Sequence, residues 1–205
     1  KVLEYQGLQR PFATPAEYYA LLEFEQPDEL AMEQAMGLFE HCVEQGWVLD
    51  GVVSQSVAQA ENLWRLREDI SETLSRWTPY KNDISTVVSR VPQFLAEVEA
   101  LVTASYPAFE VVWYGHIGDG NLHLNILKPD AMAIDEFQQR CGEVSTRVFE
   151  IVQRHGGSIS AEHGVGLLKK DYLHYSRSPL EIEIMRQIKR VFDPQGIMNP
   201  GKIFD

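Results

Sequence analysis

HIGDGNLHLNI, residues 116–126, sets two histidines on either side of a glycine-rich turn. Asp119-Gly120 favours a tight turn, because both residues tolerate positive φ. FEVVWYGH (109–116) and LHLNILK (122–128) have the aromatic and β-branched content of strands. The stretch therefore predicts a β-hairpin, and a hairpin needs no histidine. The turn should draw the strand ends together, and with them His116 and His123. Along the second strand His123 and Asn125 share one face, while Leu122 and Leu124 take the other. Converging imidazoles can bind a divalent metal, but two ligands seldom hold one tightly, and a carboxylate is the usual third. Glu162 in SISAEHGVG is the candidate, beside His163 and near Gly164 and Gly166. Histidines around a hairpin also occur as ordinary core or surface residues, so the pattern alone leaves both readings open.

Working outward, AEYYALLEFE (16–25) reads as a strand and WVLDGVVSQS (47–56) as a second strand or a hairpin. Between them, residues 28–46 predict a helix with Asp28 as N-cap and Gly46 as its stop. A long helix is expected over 57–77, then a loop marked by Pro79 and Asn82-Asp83, with DISTVVSR (83–90) extended. Pro92 opens a helix that runs to about Ser105. Further helices are expected over about 132–155, stopping at Gly156-Gly157, and over 179–192. SISAEHG (158–164) reads as a short strand, Lys169-Lys170 as an exposed basic turn, and DPQGIMNPGKIFD (193–205) as ordered turns. The fold class is α+β, with a largely antiparallel sheet flanked by helices.

The 205 residues suffice for one large domain or two small subdomains, each with a hydrophobic core. Thirty acidic against 18 basic side chains give a net charge of −12, which repels phosphate backbones and anionic lipid. Nucleic acid and membrane surfaces are poor partners for such a chain. No apolar run reaches the ~18 residues of a membrane helix, and no signal-peptide pattern opens the sequence. Cys42 and Cys141 form neither a disulfide framework nor a metal pair, and are expected as buried free thiols in a reducing compartment. The chain opens on Lys1, which suggests a piece of a longer polypeptide.

HIGDGNLHLNI, SAEHGVGLLKKDYL and FDPQGIMNPGKIF, with LWRLRE (63–68) and KNDIS (81–85), together resemble the C-terminal half of the flavin-linked D-2-hydroxyacid dehydrogenases. That family includes D-lactate dehydrogenases, the glycolate oxidase flavoprotein subunit and D-2-hydroxyglutarate dehydrogenases, and the resemblance is nearest to the last branch. It implies a ferredoxin-like cap spanning residues 1–205 as the substrate- and metal-binding domain. FAD would be bound mainly by an N-terminal domain of the same polypeptide, whose glycine-rich phosphate loop this sequence lacks. By resemblance His116, His123 and Glu162 hold zinc or manganese, His163 is the base, and Asn125 lies against the substrate.

The resemblance also gives Arg67, Ser71 and Lys81 to a substrate carboxylate. Arg67 and Ser71 stand four apart on one predicted helix and so share a face, and a guanidinium suits a carboxylate. The competing reading is a surface ion pair of Arg67 with Glu68 or Asp69. The tail is implied to lie near the flavin domain. The expected activity is oxidation of a D-2-hydroxy acid to the 2-oxo acid, a 2-hydroxyglutarate-like dicarboxylate being favoured over D-lactate or glycolate. This chain alone would be inactive. An electron acceptor is implied, a homodimer is among the assemblies allowed, and the location is cytoplasmic, or mitochondrial in a eukaryote. Other classes are a non-catalytic metal- or anion-binding module and a flavin-free non-haem iron oxygenase.

Overall fold

A computed structural model describes residues 1–25 and 28–204. The chain divides into two compact units, Lys1–Arg76 and Trp77–Asp205. The first is helical: α1 (Val2–Gln6), α2 (Glu29–Glu44), α3 (Val57–Glu68) and α4 (Ile70–Leu74). Asp28 caps α2 by accepting from the Ala31 N–H at 3.0 Å, and Gly46 takes positive φ beyond its end, as the sequence predicts.

The single long helix expected over 57–77 is broken at Asp69, which closes α3 and opens α4. Its carboxylate meets the Arg65 Nε at 3.2 Å, and its carbonyl accepts the Thr73 N–H. A short polar side chain competes with helical bonding in this way. Residues 16–25 and 47–56 are not strands. Their tyrosines, leucines and valines suit a sheet, but a strand forms only where a neighbour takes its N–H and C=O groups. Tyr18, Tyr19, Leu22, Trp47 and Leu49 are instead exposed. The Trp64 indole N–H donates to the Glu23 carboxylate within this unit.

The second unit is built on an antiparallel sheet of β1 (Tyr80–Ser85), β2 (Val111–Tyr114) and β3 (Asn121–Ile126), in the order β1-β3-β2. Asn82-Asp83 is therefore strand rather than loop, and the extended stretch expected over 83–90 ends at Ser85. Two longer helices, α5 (Val91–Ser105) and α6 (Ile134–Arg154), cover one face. Ile84, Leu122, Leu124 and Ile126 point into that core against Phe94, Val98, Phe137, Val148 and Val152. The period of two then puts Lys81, Asp83, Asn121, His123 and Asn125 on the opposite face. Asn82 shares the core face, where its amide donates to the Ser145 hydroxyl of α6 at 3.2 Å. Buried polar groups are tolerated when paired in this way.

The β2–β3 connection is antiparallel as expected, but wider than an Asp-Gly two-residue turn. Ile117–Asp119 form a 3₁₀ turn, and only Gly120 takes positive φ. The Gly120 carbonyl accepts the Thr86 N–H at 3.0 Å, and a side chain at Gly120 would overlap the Thr86 carbonyl oxygen. Residues 158–164 form no strand; a lone bridge joins Ser158 to Ser85 and leaves 160–169 as a loop. Helix α7 (Pro179–Phe192) opens on a capping box of Ser178 and Glu181. Beyond it the Asp193 carboxylate collects the Lys189 ammonium at 2.7 Å and the N–H groups of Ile197 and Met198 at 2.9 and 3.0 Å. The tail is thus an ordered turn. Cys141 is buried, whereas Cys42 is half-buried, short of the expected burial. Among the described residues no helix is long and apolar enough to cross a membrane.

Candidate functional site

The open face of the sheet in the second unit carries the polar residues that the hairpin reading singled out. His116 stands just after β2, His123 lies within β3, and Glu162 comes from the loop after the Ser158 bridge. Donor atoms of the three lie within 4.8 Å of one another. His116 Nδ1 is 2.9 Å from Glu162 Oε1, and His123 Nε2 is 3.9 Å from Glu162 Oε2. Two ligands at ~2.1 Å in tetrahedral array stand about 3.4 Å apart. The two observed spacings bracket that value, so the residues present fit a small divalent cation.

The charge balance of the face agrees with the fit. Asp83 Oδ1, Asn121 Oδ1 and Asn125 Oδ1 are buried acceptors with no hydrogen bond among the described residues. All three belong to the open face of β1 and β3. Buried acceptors are nearly always satisfied, and a group of orphans on one face is suited to a cation or to water.

Two side chains that order this face carried no functional reading in the sequence. Asn121 donates its amide to Glu162 Oε1 and so aims the carboxylate. Asp83 stands opposite His123 in the β1–β3 register, with Oδ1 3.4 Å from the imidazole Nδ1. Its other oxygen accepts the backbone N–H groups of Glu162 and His163 at 3.0 and 3.2 Å, and the Ser160 hydroxyl at 3.4 Å. Burial pushes the Asp83 carboxyl up; the two N–H donors and the imidazoles of His123 and His163 outweigh it, and the net displacement is downward. Asp83 therefore stays ionised. The signal available in the sequence was an aspartate inside an extended NDIS, a pattern that reads equally well as a turn.

His163 is exposed, its ring centroid 6.2 Å from that of His123, and with Asp83 and His123 it forms a second group of close donor atoms. Asn125 is fully buried and donates to the His123 carbonyl at 3.3 Å. Lys81 pairs with Asn125 across the strands and is exposed. Arg67 and Ser71 belong to the first unit, on α3 and α4 respectively, so the shared helical face expected of them is interrupted at Asp69.

Lys169 is not part of an exposed basic turn. It is half-buried, and its ammonium donates to the carbonyls of Ile159 at 2.7 Å and Asp83 at 3.4 Å, which ties the loop to β1. Burial pulls its pKa below the usual lysine value against the opposing pull of the Asp83 carboxylate.

One face of the sheet is thus packed by helices, and the other carries His123, Asn125 and the buried Asp83 carboxylate with Glu162 brought in by the loop. The chain belongs to the family of FAD linked oxidases, C-terminal domain, whose model matches residues 1–203. It is 66% identical over 204 residues to a D-2-hydroxyglutarate dehydrogenase of Stutzerimonas stutzeri (strain A1501), covering 100% of this chain and 44% of that protein. A D-2-hydroxyglutarate dehydrogenase of Xanthomonas citri pv. viticola is 56% identical over 199 residues, covering 97% of this chain and 42% of its own length. The mitochondrial D-2-hydroxyglutarate dehydrogenase of Arabidopsis thaliana is 36% identical over 199 residues, covering 96% and 34%. The chain thus spans less than half the length of these curated relatives.

Proposed function

We propose that this chain is the substrate- and metal-binding part of an FAD-linked dehydrogenase that oxidises a D-2-hydroxy acid, with a 2-hydroxyglutarate-like dicarboxylate as its substrate. The observation that carries the reading is the convergence of His116, His123 and Glu162 beside His163 on one open face. The relatives' names supply the substrate class. His116, His123 and Glu162 would hold a zinc or manganese ion, which when bound polarises the substrate hydroxyl and lowers its pKa. FAD, held by a part of the polypeptide outside this chain, would take the hydride from the α-carbon and pass electrons to an external acceptor.

The chain's own residues account for the proton and for orientation. His163 takes the hydroxyl proton, a role that suits an exposed imidazole beside the ligand set. Its backbone N–H is pinned to Asp83, so the residue that ligates and the residue that accepts the proton are fixed by one carboxylate. Asn125, on the same face of β3 as His123, is given to the substrate by the family resemblance. Lys81, on the same face of β1 as Asp83, meets the second carboxylate, an assignment supported by the family resemblance.

The test uses the full-length flavoprotein under anaerobic conditions. D-2-hydroxyglutarate should bleach the oxidised flavin band, and treatment with a chelator should abolish the bleaching. Absence of bleaching by any D-2-hydroxy acid overturns the dehydrogenase reading. Oxygen-dependent turnover without flavin would place the His/His/Glu set with the non-haem iron enzymes instead.

A further inference from the structure

Asp83 is the buried carboxylate that the proposed reaction leaves without a chemical role. It is buried, and its two oxygens face different parts of the site. Oδ2 is saturated by the N–H groups of Glu162 and His163 and by the Ser160 hydroxyl. Oδ1 accepts no hydrogen bond among the described residues, yet His123 Nδ1 stands 3.4 Å from it. The other nitrogen of that ring, Nε2, points to Glu162 Oε2. A neutral imidazole carries one N–H and one lone pair. The tautomer with its proton on Nδ1 faces the Asp83 charge and leaves the Nε2 lone pair for the Asn121 amide, 3.5 Å away, or for an ion. The opposite tautomer sets a lone pair against a buried carboxylate and removes the donor from the ligand side.

We propose that Asp83 is a positioning residue for the metal ligands, fixing the tautomer and ring orientation of His123 through Oδ1 while its Oδ2 holds the Glu162–His163 backbone. The proposal rests on the metal reading of His116, His123 and Glu162 given above. A histidine that binds a metal through one nitrogen commonly donates the other N–H to a carboxylate, which raises its basicity and locks its rotation. Here one side chain does this for the histidine ligand and also anchors the backbone of the carboxylate ligand.

Asp83→Asn separates the two functions. The asparagine oxygen can still accept from Glu162 and His163, but its NH₂ would face His123 Nδ1 as a donor. That reverses the preferred tautomer and turns the Nε2 proton toward the metal position. An aspartate-to-asparagine change beside an imidazole is known to act in this way in the serine proteases.

The test is a double-mutant cycle in the full-length flavoprotein, stripped of metal and titrated with Mn²⁺ alone. Free ion is read from its electron paramagnetic resonance signal. Wild type, Asp83→Asn, His123→Gln and the double variant are compared. Asp83→Asn should raise the Mn²⁺ Kd by about 10–100-fold. In the His123→Gln background the same change should move it by no more than about twofold, the ordinary scatter of additivity. An unchanged Kd in the single variant overturns the proposal. So does an equal loss in both backgrounds, because Asp83 would then act through the fold. Flavin content and Tm report folding. If Asp83→Asn fails to fold, Asp83→Ser takes its place, and failure of both assigns Asp83 a structural role only and overturns the proposal. The metal reading fails separately: it falls if His116→Ala and His123→Gln bind Mn²⁺ like wild type, whatever Asp83 does.

Discussion

Asp83 and Glu162, 79 residues apart in sequence, are joined by a 3.0 Å hydrogen bond from the Glu162 N–H to Asp83 Oδ2. The bond engages the backbone of Glu162 and leaves its carboxylate free to turn toward His116. Position and chemistry at residue 162 are therefore separable. Glu162→Gln should keep the loop in place: with both proteins stripped of metal, its Tm should stay within ~1 °C of wild type, since the glutamine carbonyl can still accept from Asn121. The full-length wild type should carry about one divalent ion per chain by elemental analysis. Glu162→Gln, His116→Ala and His123→Ala should each lose most of it. Unchanged metal in all three means the ligands lie elsewhere.

His163 is not one of the three proposed ligands, so removing its imidazole should spare the metal. In the full-length enzyme His163→Ala should slow flavin reduction by at least ~100-fold, the usual loss for a general base. Metal content should stay near normal. Stopped-flow absorbance with D-2-hydroxyglutarate decides the matter, and a wild-type rate would remove His163 from the proton transfer.

Arg67 bears on substrate choice. If it meets the second carboxylate of a dicarboxylic substrate, Arg67→Ala leaves that charge without its partner. Such a loss typically costs ~2–5 kcal/mol, or roughly 30- to several-thousand-fold in kcat/KM. D-lactate has no second carboxylate and should be nearly unaffected. Equal losses for D-lactate and D-2-hydroxyglutarate would assign Arg67 to the shared carboxylate or to the fold.

Asp193 gives a pH-dependent element in the second unit. The Lys189 ammonium, followed by the N–H groups of Met198 and Ile197, holds its carboxyl below the usual aspartate range. A depressed folded pKa means that the stabilisation is present above the unfolded value, ~3.9, and is lost as pH falls through the folded one. Asp193→Asn should lower Tm at pH 7, and the gap from wild type should close on acidification from about pH 4 downward. Thermal unfolding of both proteins across pH 3–7 tests this; a gap independent of pH would show that charge is not what holds the turn.

Gly120 tests the hairpin. Its φ of 67° disfavours any side chain, and the space a Cβ would take is already filled by the Thr86 carbonyl oxygen. A left-handed residue costs ~1–2 kcal/mol, and forced overlap in a packed site ~1–3 kcal/mol more. Gly120→Ala should destabilise the full-length protein by at least about 2 kcal/mol in urea unfolding. Gly118→Ala, where a Cβ meets nothing within 4 Å, is the control and should be near neutral.

What the sequence disclosed was mostly local. The cap at Asp28, the proline early in α5, the glycines that stop α6 and the span of α7 depend on neighbours within one turn, and these were legible. The three donor residues His116, His123 and Glu162 were legible because a turn and a glycine-rich loop signalled where the backbone bends. What depends on distant partners was not. Residues 16–25 look like a strand but have no sheet to join, whereas Asn82-Asp83 looks like a turn and is drawn into β1 by pairing with β3. The role of Asp83 was hidden by the same fact, since only the register with His123 gives it a function. Asp69 was a local signal, a capping residue amid helix formers, that the expected long helix passed over.

The β1-β3-β2 order also dictates when the site can exist. The strand bearing Asp83 is synthesised first, but its neighbour β3 follows only after α5 and β2, and the loop whose N–H groups Asp83 accepts comes 79 residues later. At ~5–20 residues per second on the ribosome, that interval is on the order of 4–16 s. In the later part of it the two histidines wait for a glutamate 46 residues beyond His116. A cation held by all three, as proposed, cannot bind the full set before Glu162 has been made. Protein made in cells starved of the metal should therefore take up ions added after synthesis.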